Sequence, residues 1–135
     1  MAERERSRRG STVLVAVAAA VYGAIGVWTL IDPVGALAGV GVQAQGAIGV
    51  VEIRAMYGGL ELGMAGFLVW CLARGRVEAG LVAATLTIGG LGLTRAIGWA
   101  AAGMPPSLHP MLVVVEVSGA AVGLVVWWRE LAGET

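Results

Sequence analysis

With 135 residues the chain has room for one domain; 58% of it is apolar and 13% charged, about half the roughly 25% charge of an average soluble protein. A soluble fold this short could not hide so much apolar surface, and the mean hydropathy of +0.83 agrees. Net charge is zero and every basic residue is an arginine, so no polycationic face marks a nucleic-acid partner.

The chain opens with Arg4, Arg6, Arg8 and Arg9, then an uncharged run over residues 10–31, which is also how a secretory signal begins. That run exceeds the roughly 7–15 residues of a signal core, and small-x-small sites such as Ala16-Val17-Ala18 fall in its middle. A retained first helix over residues 13–31 is therefore expected, since about 20 apolar residues cross a bilayer. Asp32-Pro33 stops it, because proline cannot continue the hydrogen-bond ladder. The first loop, residues 32–47, is unusually apolar (Val34, Leu37, Val40, Val42), as a short lid along the outer interface would be.

A second span is expected over residues 49–73, then a tight turn at Arg74-Gly75-Arg76. The third covers 79–102 and ends at Gly103-Met104-Pro105-Pro106-Ser107; the fourth covers 109–128. The fold class is thus an all-α membrane protein, a four-transmembrane-helix bundle. Residues 1–11 form an Arg-rich tail, 12–128 the membrane domain and 129–135 a second tail.

Trp28 and Trp99 fall at one set of helix ends, and Trp70, Trp127 and Trp128 at the other, as in an interfacial aromatic belt. Arg74, Arg76 and Arg129 join the N-terminal arginines on one side, while the first and third loops contain no basic residue. The positive-inside rule then makes both termini of this multi-pass protein cytoplasmic. Gly59 with Gly63, and Gly119 with Gly123, form small-xxx-small pairs that let helices approach closely within the chain or in a homo- or hetero-oligomer.

Four charges lie well inside the spans: Arg54, Glu61, Arg95 and Glu116. Facing lipid, each Arg would cost roughly 2.5–3.5 kcal/mol, so all four are expected to face the interior or a wet cavity. On an ideal α-helix Arg54, Tyr57 and Glu61, spaced i, i+3, i+7, share a stripe about 60° wide. Glu116 shares its face with Gly119 and Gly123, and Arg95 with Gly92 and Gly98. Counted from the outer helix ends, all four charges lie in the outer leaflet or near the midplane. Each glutamate is expected to meet an arginine of another helix. His109 stands above Glu116 at the outer mouth. One histidine with scattered carboxylates predicts no metal site, and the lone Cys71 excludes an intrachain disulfide and any Cys-pair motif.

The stretch Arg54-Ala55-Met56-Tyr57-Gly58-Gly59-Leu60-Glu61-Leu62-Gly63 resembles the R-x-x-Y-G-G-x-E-x-G motif of a bacterial family, domain of unknown function 4345, placed near the DoxX-like group of four-helix membrane proteins. Arg95-x-x-Gly98, the Gly103-x-Pro105 break and Glu116 are similar to its later motifs. The resemblance implies a four-helix membrane fold, a place in a bacterial inner membrane, and no particular activity or cofactor.

Three function classes stay open. In the first, Arg54, Tyr57, Glu61, Arg95, Glu116 and His109 form an outward-facing site that binds or transports a small polar, anionic or lipophilic ligand. In the second the chain is an accessory subunit whose buried ion pairs only fix the fold. In the third Glu61 or Glu116, assisted by Tyr57, does acid–base chemistry on a lipophilic substrate. An arginine committed to each glutamate would leave neither free to act as the acid, which disfavours the third. No Ser-His-Asp set, thiol nucleophile with a base, or phosphate-cradling loop is present.

Overall fold

The computed structural model describes the backbone of residues 2–132 and the side chains of residues 9–130. The side chains of Arg4, Arg6 and Arg8, which carry part of the topology argument, and residues 133–135 lie outside the described residues. The elements in order are α1 (Ala2–Ile31), α2 (Pro33–Ala38), α3 (Gly46–Ile53), a π-helical segment (Arg54–Gly59), α4 (Leu60–Ala73), α5 (Val77–Ala101) and α6 (His109–Ala132). No strand occurs among the described residues.

Four helical stretches are long and apolar enough to cross a membrane: Arg9–Ile31, Gly46–Ala73, Val77–Ala101 and His109–Glu130. The protein is therefore an all-α membrane protein with four spanning helices, each within a few residues of its expected position. The first helix begins earlier, at Ala2, because Glu and Arg are good helix formers and no proline interrupts them.

The ends of the spans follow from local chemistry. Asp32 caps α2, its Oδ1 accepting from the Gly35 N–H at 2.9 Å, so the helix axis restarts at Pro33. The first loop is thus partly helical; beside it lies a cavity of about 380 Å³ lined by Val34, Ala38, Gly41, Val42, Gln43 and Ala44. None of the candidate site residues lines it. At the end of α4, Gly75 adopts φ +67°, its N–H donating to Leu72 and that of Arg76 to Cys71 at 2.8 Å. Gly103, at φ +79°, closes α5 in the same way through Ala100 and Trp99. Both are Schellman closures, which require the left-handed conformation that glycine adopts without strain.

The chain divides into two compact units, Ala16–Trp70 and Met1–Val15 with Cys71–Thr135. In the second unit α5 and α6 pack along a seam of small residues. A Cβ on Gly92 would lie 2.9 Å from Glu116 Cβ, one on Gly89 3.2 Å from Ala120 Cβ, and one on Gly123 3.1 Å from Thr85 Cβ. The seam continues to Trp127, whose Nε1 donates to Glu78 Oε1 at 3.3 Å, and Ser11 donates to Glu130 at that end. Gly98, expected beside Arg95 on this face, has open space instead.

Within Ala16–Trp70, α1 and α4 run antiparallel, with Gly23 against Ala65, Gly26 against Leu62 and Leu30 against Gly58. The close approach is made by Gly26 and Gly58, where a Cβ would lie 3.0 Å from the Gly58 carbonyl and 2.7 Å from Leu30 Cδ2 respectively. The expected pair Gly59 and Gly63 does not make it: a Cβ added at Gly63 would meet nothing within 4 Å beyond its own helix.

Candidate functional site

The six candidate residues fall into two groups, one in each unit. In the first, Arg95 of α5 meets Glu116 of α6. Arg95 Nε donates to Oε2 at 2.9 Å and to Oε1 at 3.1 Å, and its terminal Nη2 donates to Oε1 at 2.9 Å. The two side chains are 19% and 12% exposed. This is the interhelical pair expected for Glu116, and its forked geometry is one that only a guanidinium can make. Gly92 makes it possible by leaving room for the Glu116 stem one turn before Arg95.

His109 stands at the start of α6, and its Nδ1 lies 3.0 Å from Ser107 Oγ. Seven residues separate it from Glu116, about 10 Å along the axis, so His109 is a helix-end residue that does not join the ion pair.

The second group surrounds the π-helical segment Arg54–Gly59 and departs from the expected stripe. In a π-helix the N–H reaches back five residues, as Leu60 N–H does to the Ala55 carbonyl, so each residue turns through a smaller angle than in an α-helix. Arg54, Tyr57 and Glu61 therefore do not stack on one face. Arg54 is exposed and Tyr57 is 42% exposed, whereas Glu61 is half-buried. The positions turned inward are Ile53 and Gly58, five residues apart. From Gly58 the buried face continues with α-helical spacing to Ala65 and Leu68.

Arg54 spans from this segment to the end of α1, its Nε donating to the Leu30 carbonyl at 3.2 Å. That carbonyl belongs to the last turn of α1, where unsatisfied carbonyls and the helix dipole favour a cation. The terminal guanidinium nitrogens make no hydrogen bond among the described residues. Glu61 has no ion pair within its unit, contrary to the expectation of an arginine partner, and its Oε2 is buried without a hydrogen-bond partner. The reason lies in the composition of the unit: Arg54 is the only basic residue between 16 and 70, and it is committed to α1.

Two features of the structure are not legible in the sequence. A five-residue step in the buried face is invisible to a search for 3.6-residue periodicity, although the Gly58-Gly59 pair inside a span is a faint signal of it. The other is Thr29 of α1, which is fully buried with its hydroxyl unpartnered. Nothing separates it in sequence from the other hydroxyl residues of the spans.

Among the described residues no three His, Cys, Asp or Glu side chains gather where a metal ion could be held. Among curated proteins and among solved structures nothing matches this chain. A family model, described as domain of unknown function (DUF4345), matches residues 11–128 and takes in every candidate residue, and the chain belongs to that family.

Proposed function

We propose that this protein is a membrane binding protein whose site is the π-helical segment, with Arg54 holding a carboxylate or phosphate. One observation carries the reading: the two intramembrane arginines differ in what they are committed to. Arg95 is neutralised by Glu116 through a forked pair, whereas Arg54 is held by one nitrogen on a backbone carbonyl and keeps its outer nitrogens for a ligand. A π-turn inside a spanning helix supports the same reading, since such turns occur frequently at functional sites. The arginine-free first and third loops favour an orientation with both termini cytoplasmic, so that in the bacterial inner membrane implied by the family resemblance the ligand arrives from outside.

The test is native mass spectrometry of protein purified in mild detergent. Wild type and Arg95→Lys should carry the same small molecule or lipid, and Arg54→Gln should lack it. Retention by Arg54→Gln would remove the proposal.

A second reading, an accessory subunit, is favoured by the closed Arg95–Glu116 pair and by Gly90 and Gly98, whose open faces suit a helix of another chain. A wild type that carries no ligand but co-purifies with a partner subunit would favour it.

A further inference from the structure

The unit Ala16–Trp70 contains an unbalanced set of polar groups along the α1–α4 seam. Arg54 has no carboxylate, Glu61 has no cation, and the two do not pair with each other. The hydroxyl of Thr29 is fully enclosed and makes no hydrogen bond. Elsewhere in the spans, hydroxyls return to the carbonyl four residues back: Thr87 to Ala83 at 2.8 Å, Thr94 to Gly90 at 2.8 Å and Ser118 to Val114 at 2.6 Å. Thr29 has the same local option and does not take it.

Helical arithmetic puts Thr29 and Glu61 on one side of the seam. Gly26 and Leu62 face each other. Thr29, three residues beyond Gly26, is rotated about 60° from that contact, and Glu61, one residue before Leu62, about 100°. Because the helices are antiparallel, both rotations lead to the same flank. The register set by Gly26–Leu62 and Leu30–Gly58 places Thr29 opposite position 59, only about 3 Å along the axis from Glu61. Arg54 reaches the same seam at the end of α1.

We propose that the ligand is a zwitterion: its phosphate or carboxylate rests on the Arg54 guanidinium and its primary ammonium on the Glu61 carboxylate, with Thr29 accepting a further ammonium hydrogen. The inference rests on the reading of Arg54 as an anion site and adds the opposite end of the ligand. Its ground is charge and hydrogen-bond complementarity. A bound primary ammonium supplies the cation that no residue of the unit offers Glu61, and its three donors suit a carboxylate and a hydroxyl at once. A ligand with only a negative end would leave both Glu61 and Thr29 as they stand, at the cost of buried unpaired groups. The chemistry is that of ethanolamine phosphate, found in a lipid head group or as a free solute.

The experiment compares binding of short-chain phosphatidylethanolamine, short-chain phosphatidylglycerol and free phosphoethanolamine to the full chain in detergent, by native mass spectrometry. Wild type should prefer the ethanolamine lipid over the glycerol lipid by about tenfold or more, the gain of one charge-assisted contact. Glu61→Gln, which keeps the side-chain shape, should bring that ratio close to one, and Thr29→Val should lower it. Binding of free phosphoethanolamine at similar affinity would assign a soluble zwitterion, and binding of the lipid alone a lipid; both uphold the inference. Equal binding of the two lipids by wild type, or an unchanged ratio in Glu61→Gln, overturns it while leaving the anion site standing. Should Glu61→Gln fail to fold, an unchanged ratio in Thr29→Val overturns it instead. Binding of none of the three probes overturns the anion site and this inference together.

Discussion

Gly92 lies directly under Glu116: a Cβ at position 92 would sit 2.9 Å from Glu116 Cβ and 3.3 Å from the Val117 backbone nitrogen. The backbone contact leaves no flexible side chain to move aside. Gly92→Val should therefore push α6 from α5 and cost about 1–3 kcal/mol, as overpacking does elsewhere. Gly98→Val, at a position with open space, should cost far less. Denaturant titration in detergent, followed by tryptophan fluorescence, measures both; equal losses would contradict the seam.

The Arg95–Glu116 pair is nearly closed to its surroundings, so removing one partner strands the other. Arg95→Ala and Glu116→Ala should each destabilise by on the order of 3–5 kcal/mol. The double variant should lose much less than the sum, because no lone charge remains. Simple additivity in a double-mutant cycle would show that the pair is not the source of the loss.

On the α1–α4 seam the two close-packed glycines differ in what opposes them. A Cβ at Gly26 meets the Gly58 carbonyl at 3.0 Å as well as Leu62 Cγ, whereas one at Gly58 meets chiefly the end of the Leu30 side chain. Leu30 can turn away, but the backbone oxygen cannot. Gly26→Ala should thus destabilise more than Gly58→Ala, by about 1 kcal/mol or more. Thermal unfolding of the two proteins would decide, and the reverse order would count against this packing.

Topology is open to direct labelling. In a Cys71→Ala background, Ser107→Cys should react with an impermeant maleimide applied to intact cells, and Arg74→Cys only after lysis. The expectation rests on the arginines of the second loop and their absence from the first and third. Labelling of position 74 from outside would invert the proposed orientation and move the Arg54 site to the cytoplasmic half.

The sequence alone determined how many helices cross and where they end. Long uncharged runs, the Asp32-Pro33 stop and glycines at 75 and 103 act through local backbone chemistry and hydrocarbon thickness, which need no neighbour to be read. The Arg95–Glu116 pairing was half legible: burial cost demanded a partner for each charge, but which charge met which awaited the α5–α6 register. What only the tertiary structure decided is the second helix. Whether the backbone winds as α or π between Arg54 and Gly59 depends on the approach of α1 through Gly26 and on the Leu30 carbonyl that takes up Arg54. That winding moves Tyr57 outward and turns Gly58 inward, while Glu61 lacks an arginine because the only one in its unit is taken up at the end of α1. The free-energy difference between the two windings is set by contacts distant in sequence, so no periodicity along the chain encodes it.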